Sequence, residues 1–189
     1  MPDQLTFSKR ARQGMLQSVF MLAFFTVFWA VFLFWGFYVT ALSIIGCAVF
    51  IGVALIIFFK ALKINHSLRS LPDEAESPAD KRAVKQWNII ASVQGATIGI
   101  ACAILGMTGR YLYIVPVVVL IVGIHYFPLG AIYRTPIHFI VGIPVVLIAV
   151  SGIVVQALGV LGNEVIGICA CAAALSTAIL GVYIMRLVQ

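Results

Sequence analysis

The sequence is poor in charge: only 10% of its 189 residues are Asp, Glu, Lys or Arg, and none of these falls between Gly14 and Phe59. So little charge cannot cover the surface of an ordinary soluble domain. No Asp or Glu lies in the middle of a long apolar stretch, which argues against a carrier that couples transport to a buried carboxylate. No C-x-x-C pair joins Cys47, Cys102, Cys169 or Cys171, all of which sit in apolar segments. That spacing argues against a zinc site, a thioredoxin-type motif or a disulfide framework, and leaves the thiols as small buried hydrophobes. A nucleophile, base and orienting group cannot be assembled from the spacings present, so neither an enzyme nor a cofactor is indicated.

What is present is apolar. Hydrophobic residues make up 63% of the chain and its mean hydropathy is +1.14. A hydrocarbon layer roughly 30 Å thick takes about 20 apolar residues per helix, because backbone groups facing lipid must bond within their own segment. The expected fold is therefore all-α, an integral membrane bundle of six transmembrane helices forming one domain over residues 1–189. The expected spans cover 14–37, 39–59, 88–107, 111–127, 136–158 and 165–185, with a polar loop at 60–87.

Local signals set these bounds. Lys9, Arg10 and Arg12 lead into the first span, which is too long for a signal peptide and has no A-x-A-like cleavage site, so it reads as an uncleaved anchor. Ser77-Pro78 and Thr135-Pro136 each pair an N-cap residue with a proline at the first helical position. Pro128 is expected to end the fourth span, and Pro116 and Pro144 are the candidates for a helix broken at membrane depth.

The net charge of +6 does not indicate nucleic acid, because the basic residues flank apolar segments instead of forming a stripe among aromatic residues. It reads as topology. Eleven Lys and Arg residues fall on one side of the six-span layout and Arg110 alone on the other. By the positive-inside rule both termini are cytoplasmic, in a cell (inner) membrane, with the lipid bilayer as the principal partner.

Contacts between helices in lipid rely on small residues. Ser92, Gly95, Gly99, Cys102 and Gly106 recur at spacings of three and four in the third span, and Gly167, Cys171, Ala174, Ala178 and Gly181 recur in the sixth. Both stripes are expected at helix interfaces, which makes the third and sixth spans central. The first span, with Phe20, Phe24, Phe25, Phe28, Trp29 and Phe32, and the Val-rich fourth are expected to face lipid.

The densest polar stretch runs from His125 to His138 through Arg134. A fifth helix starting at Pro136 would aim its free N–H groups at the cytosol beside Arg134 and His138, an arrangement suited to a small anion. Binding there would weaken as pH rises through roughly 6.5, the ordinary histidine pKa. The plainer reading makes Arg134 a topology anchor and the histidines interfacial side chains. Gln94, Thr97 and Gln156 are the main deep polar groups; Gln94 and Thr97 join the tentative ligand set, against a plainer role in interhelical hydrogen bonds.

Gly123-Ile124-His125-Tyr126-Phe127-Pro128-Leu129 resembles the G-x-H-F-x-P-L signature of small, uncharacterised bacterial multi-pass membrane proteins. The resemblance covers those residues alone and implies no activity. In size and basic-inside layout the chain is also similar to substrate-binding subunits of energy-coupling-factor vitamin importers, although its first span has no A-x-x-x-A docking motif. Two functions are expected from different classes. One is a small-solute binding or passive transport component; the other is a structural or regulatory interaction subunit, either self-associating or held by a membrane partner.

Overall fold

The computed structural model describes residues 9–70, 78–133 and 135–188. They form six long helices: α1 (Lys9–Phe37), α2 (Ala41–Arg69), α3 (Pro78–Met107), α4 (Ile114–Tyr133), α5 (Ile137–Ala157) and α6 (Glu164–Val188). A short 3-10 turn, Tyr111–Tyr113, leads into α4, and no strand occurs among the described residues. All six helices are long and apolar enough to cross a membrane. Short turns join α1 to α2, α3 to α4 and α5 to α6, and the chain runs back and forth between a basic end, which carries Lys9, Arg69 and Arg186, and a far end.

The far-end turns follow local chemistry. Tyr38 sits in the left-handed region at φ 56°, a conformation costing a side-chain residue about 1 kcal/mol. Its carbonyl accepts bonds from Ser43 Oγ at 2.6 Å and Thr40 N at 3.0 Å, while Thr40 and Ser43 form a reciprocal cap on α2. Helices α3 and α5 both stop at a glycine of positive φ, Gly109 and Gly159, where Arg110 N reaches Leu105 O and Val160 N reaches Val155 O. Glycine takes that conformation at little steric cost and the late carbonyls of each helix gain donors.

Helix α6 is the axis of the bundle. Of its most apolar stretch 67% is buried, against 0% for the corresponding stretch of α3. Along α6, Gly167, Ala174, Ala178 and Gly181 are buried as expected, and Cys171 alone of that stripe is exposed. Against it lies α1, whose buried positions Leu16, Val19, Ala23, Thr26, Trp29 and Leu33 recur every three or four residues. At the far end a Cβ on Gly36 would overlap the backbone of Gly167, and one on Gly167 would meet the Phe37 ring at 2.6–2.8 Å. The two helices therefore touch backbone to backbone. Helix α2 packs beside them through Cys47, Ala54, Ala61 and Leu68, one residue every seven.

A second close pair is α4 with α5. Added Cβ atoms on Gly123 and Gly142 would approach Val146 at 2.8 Å and the Phe127 ring at 2.9 Å. Helix α4 continues to Tyr133 with Pro128 inside it, and α5 runs unbroken past Pro144. Proline thus does not end the fourth helix. Pro128 is exposed and its ring is accommodated on the outer side of α4.

Two expectations about packing are overturned. The first span is not a lipid-facing helix: one face is the main partner of α6, while Phe24, Phe25 and Phe28 project outward. The third is not central, because α3 rests on α4 and only grazes α1. Within the chain the glycines of its small-residue stripe pack against no other helix. Ser92, Gly95 and Gly99 are exposed, Cys102 and Gly106 are half-buried, and a Cβ on Gly95, Gly99 or Gly106 would find no neighbour within 4 Å. The half-buried side of α3 runs through Trp87, Gln94, Ile98 and Leu105 and reaches the edge of the stripe at Cys102 and Gly106.

Replacing Gly167 with leucine should push α1 and α6 apart and lower the stability of the purified protein by about 1–3 kcal/mol. The same change at Gly99 should stay within about 0.5 kcal/mol, and thermal unfolding in detergent compares the two.

Candidate functional site

The polar groups of the interior form a line across four helices. Ser176 and Thr177 sit side by side on α6, and both are buried. Thr177 Oγ1 lies 2.9 Å from Thr26 Oγ1 on α1, and Ser176 Oγ lies 3.1 Å from the Tyr126 hydroxyl on α4. Each α6 hydroxyl also bonds the Ala173 carbonyl one turn back, so these buried groups satisfy one another. Tyr126 then meets the His138 ring of α5 edge-on, with centroids 6.5 Å apart.

At the basic end His138 is 4% exposed and shares a 2.7 Å hydrogen bond between Nδ1 and Thr135 Oγ1. Tyr133 stacks on it with centroids 6.4 Å apart. His125 is half-buried on α4. The structure thus sets the His138 ring against Tyr126 and Tyr133. Arg134 lies outside the described residues.

The start of α5 differs from the expected cap. The N-cap is Pro136, at φ −64° and ψ −21°, and the Thr135 hydroxyl goes to the His138 ring instead of a backbone amide. Because Pro136 already has helical angles, the chain coils one residue early. His138 N bonds Thr135 O at 3.4 Å, and Phe139 N and Ile140 N bond Pro136 O at 3.0 and 3.1 Å. Those donors are engaged by carbonyls, which removes most of the free N–H groups on which the expected anion cradle depends.

Gln94 is on the half-buried side of α3, whereas Thr97 is exposed and closes on the Val93 carbonyl at 2.8 Å. On α5 the Gln156 Oε1 atom is buried without a hydrogen-bond partner. Among the described residues no three His, Cys, Asp or Glu side chains gather as a metal would require.

The sequence reading missed Thr26, Tyr126, Ser176 and Thr177. Tyr126 lies inside the quoted seven-residue motif, and Ser176-Thr177 is an adjacent hydroxyl pair in an otherwise apolar helix. Either could have flagged a buried network, but their partners are 50 and 151 residues away.

Tyr126→Phe should cost roughly 0.6 kcal/mol, the usual worth of an interhelical hydrogen bond in a membrane protein. A double-mutant cycle with Ser176→Ala should show that the two losses are coupled.

Comparisons with protein-family models, with curated proteins and with solved structures find no match to this chain.

Proposed function

We propose that this chain is a six-span protein of a cell (inner) membrane, with both termini cytoplasmic, that acts as an interaction subunit and docks a membrane partner through α3. One observation carries this reading. Helix α3 is long and apolar enough to span a bilayer, yet its smallest residues, Gly95, Gly99 and Ala103, point away from the rest of the bundle. Glycine on a lipid-facing surface contributes no packing and costs helix propensity, roughly 1 kcal/mol per residue against alanine. The same residues against another helix allow close backbone contact. A helix held by one face and small on the other is suited to receive a partner. The interior supports the same reading, since its hydroxyl groups bond one another.

A second reading is binding or passive transport of a small solute at His125, Arg134 and His138. The observation it can draw on is the burial of His138 beside Tyr126 and Tyr133, and it is weakened by the internal bonding of the α5 amides.

In a background without native cysteines, new cysteines at Thr108 and Asn163 should react with an external thiol reagent and one at Ser77 should not; strong external labelling at Ser77 contradicts the orientation. Docking is tested by a photo-cross-linking amino acid in intact membranes. Position Ala96 should give a discrete protein adduct, whereas Leu55, on the exposed face of α2, should not. Equal yields from the two positions would contradict docking through α3.

A further inference from the structure

The stripe of α3 continues toward the basic end and changes character there. Lys81, Lys85, Asn88 and Ser92 are spaced four, three and four apart, so they stand in one row along the helix. With Val84, Ile89 and Val93 beside them they line a shallow, widely open groove on the exposed face of this one helix. Along its length the groove grades from two ammonium groups, through an amide and a hydroxyl, to an apolar wall. From Lys85 to Ser92 this takes roughly 10 Å of helix, at 1.5 Å per residue. Trp87, on the opposite side of α3, is the kind of residue that settles at the membrane surface, which puts the lysines at headgroup level and Ser92 and Val93 within the layer.

We infer that this groove binds one acidic glycerophospholipid of the cytoplasmic leaflet. Lys81 and Lys85 take its phosphate, Asn88 and Ser92 its glycerol and ester oxygens, and Val84, Ile89 and Val93 the upper part of an acyl chain. Charge complementarity selects the occupant: two adjacent lysines at a membrane surface attract an anionic headgroup. The apolar wall selects a lipid over a free anion, which would use only the lysines. Among the described residues only those of α3 line the groove, and they lie nearer the basic end than the Gly95–Ala103 surface proposed to receive a partner helix. The inference rests on the membrane placement proposed above and is independent of the partner.

The test uses the purified full chain in a neutral detergent, with thermal unfolding followed as phosphatidylglycerol, phosphatidylcholine or inorganic phosphate is added. Phosphatidylglycerol should raise the melting temperature saturably, and the other two should not. Lys81→Gln with Lys85→Gln should weaken the apparent affinity about thirtyfold, each lysine near an acidic lipid surface contributing roughly five- to sixfold. Lys60→Gln with Lys63→Gln removes the same charge from α2 and should leave the affinity unchanged, and Lys81→Arg with Lys85→Arg should retain it. Equal losses in the two glutamine variants, an equal shift with phosphatidylcholine, or the full shift with phosphate alone would overturn the inference. Detergent solution has no sides, so these results do not depend on orientation, and failure of the thiol-labelling pattern would be separable from failure here.

Discussion

The contact of Gly36 with Gly167 is the constraint on which the rest of the bundle depends. Without a side chain on either residue, α1 and α6 meet backbone to backbone, and the Phe37 ring closes over Gly167. Below this point the two helices stay close enough for Thr26 and Thr177 to share a hydrogen bond. Helices in lipid have no hydrophobic drive toward one another, so in the proposed membrane placement van der Waals contact of this kind carries the association. Trp29 and Leu33, beside the crossing, are each 3% exposed.

With α1 seated on α6, the other positions follow. Helix α2 must return along α1 because only a three-residue turn at 38–40 separates them. The α4–α5 pair, locked through Gly123 and Gly142, covers another side of α6, and Tyr126 ties it to Ser176. At the far end the Asn163 side-chain amide donates to the Tyr38 hydroxyl at 3.4 Å, linking the first turn of the bundle to the last. Helix α3 is left resting on α4, with its stripe of small residues turned outward.

The six helices were legible in the sequence because hydropathy over about 20 residues is a property of each segment taken alone. Their ends were less so. Helix α2 runs to Arg69 and α4 to Tyr133, past the Lys60 and Pro128 expected to stop them, because neither a cation at the basic end nor an outward proline forces a helix to end. The order of packing was not legible. The stripes of α3 and α6 have the same spacing and the same small residues, and what separates them is whether another helix offers a matching surface. Gly36, Phe37, Thr26 and Ile57 do so for α6, from positions more than 100 residues away. The aromatic first helix was misread for a related reason: Phe24, Phe25 and Phe28 dominate its composition, while the buried row of Val19, Ala23 and Thr26 carries the contact. At the candidate site the loss of free amides was not legible, since it depends on the backbone angles of Pro136.

The functional account depends on one placement: α1 against α6, and α3 outside. Disulfide cross-linking in native membranes, in a background without native cysteines, reports on it directly. Thr26→Cys paired with Thr177→Cys replaces two hydroxyls 2.9 Å apart and should cross-link rapidly under mild oxidation. Gly99→Cys paired with Ala174→Cys should not cross-link within one chain, because nothing lies within 4 Å of a Cβ at Gly99. Rapid cross-linking of the Gly99 and Ala174 positions within a single chain, with none between 26 and 177, would put α3 at the centre and contradict the account.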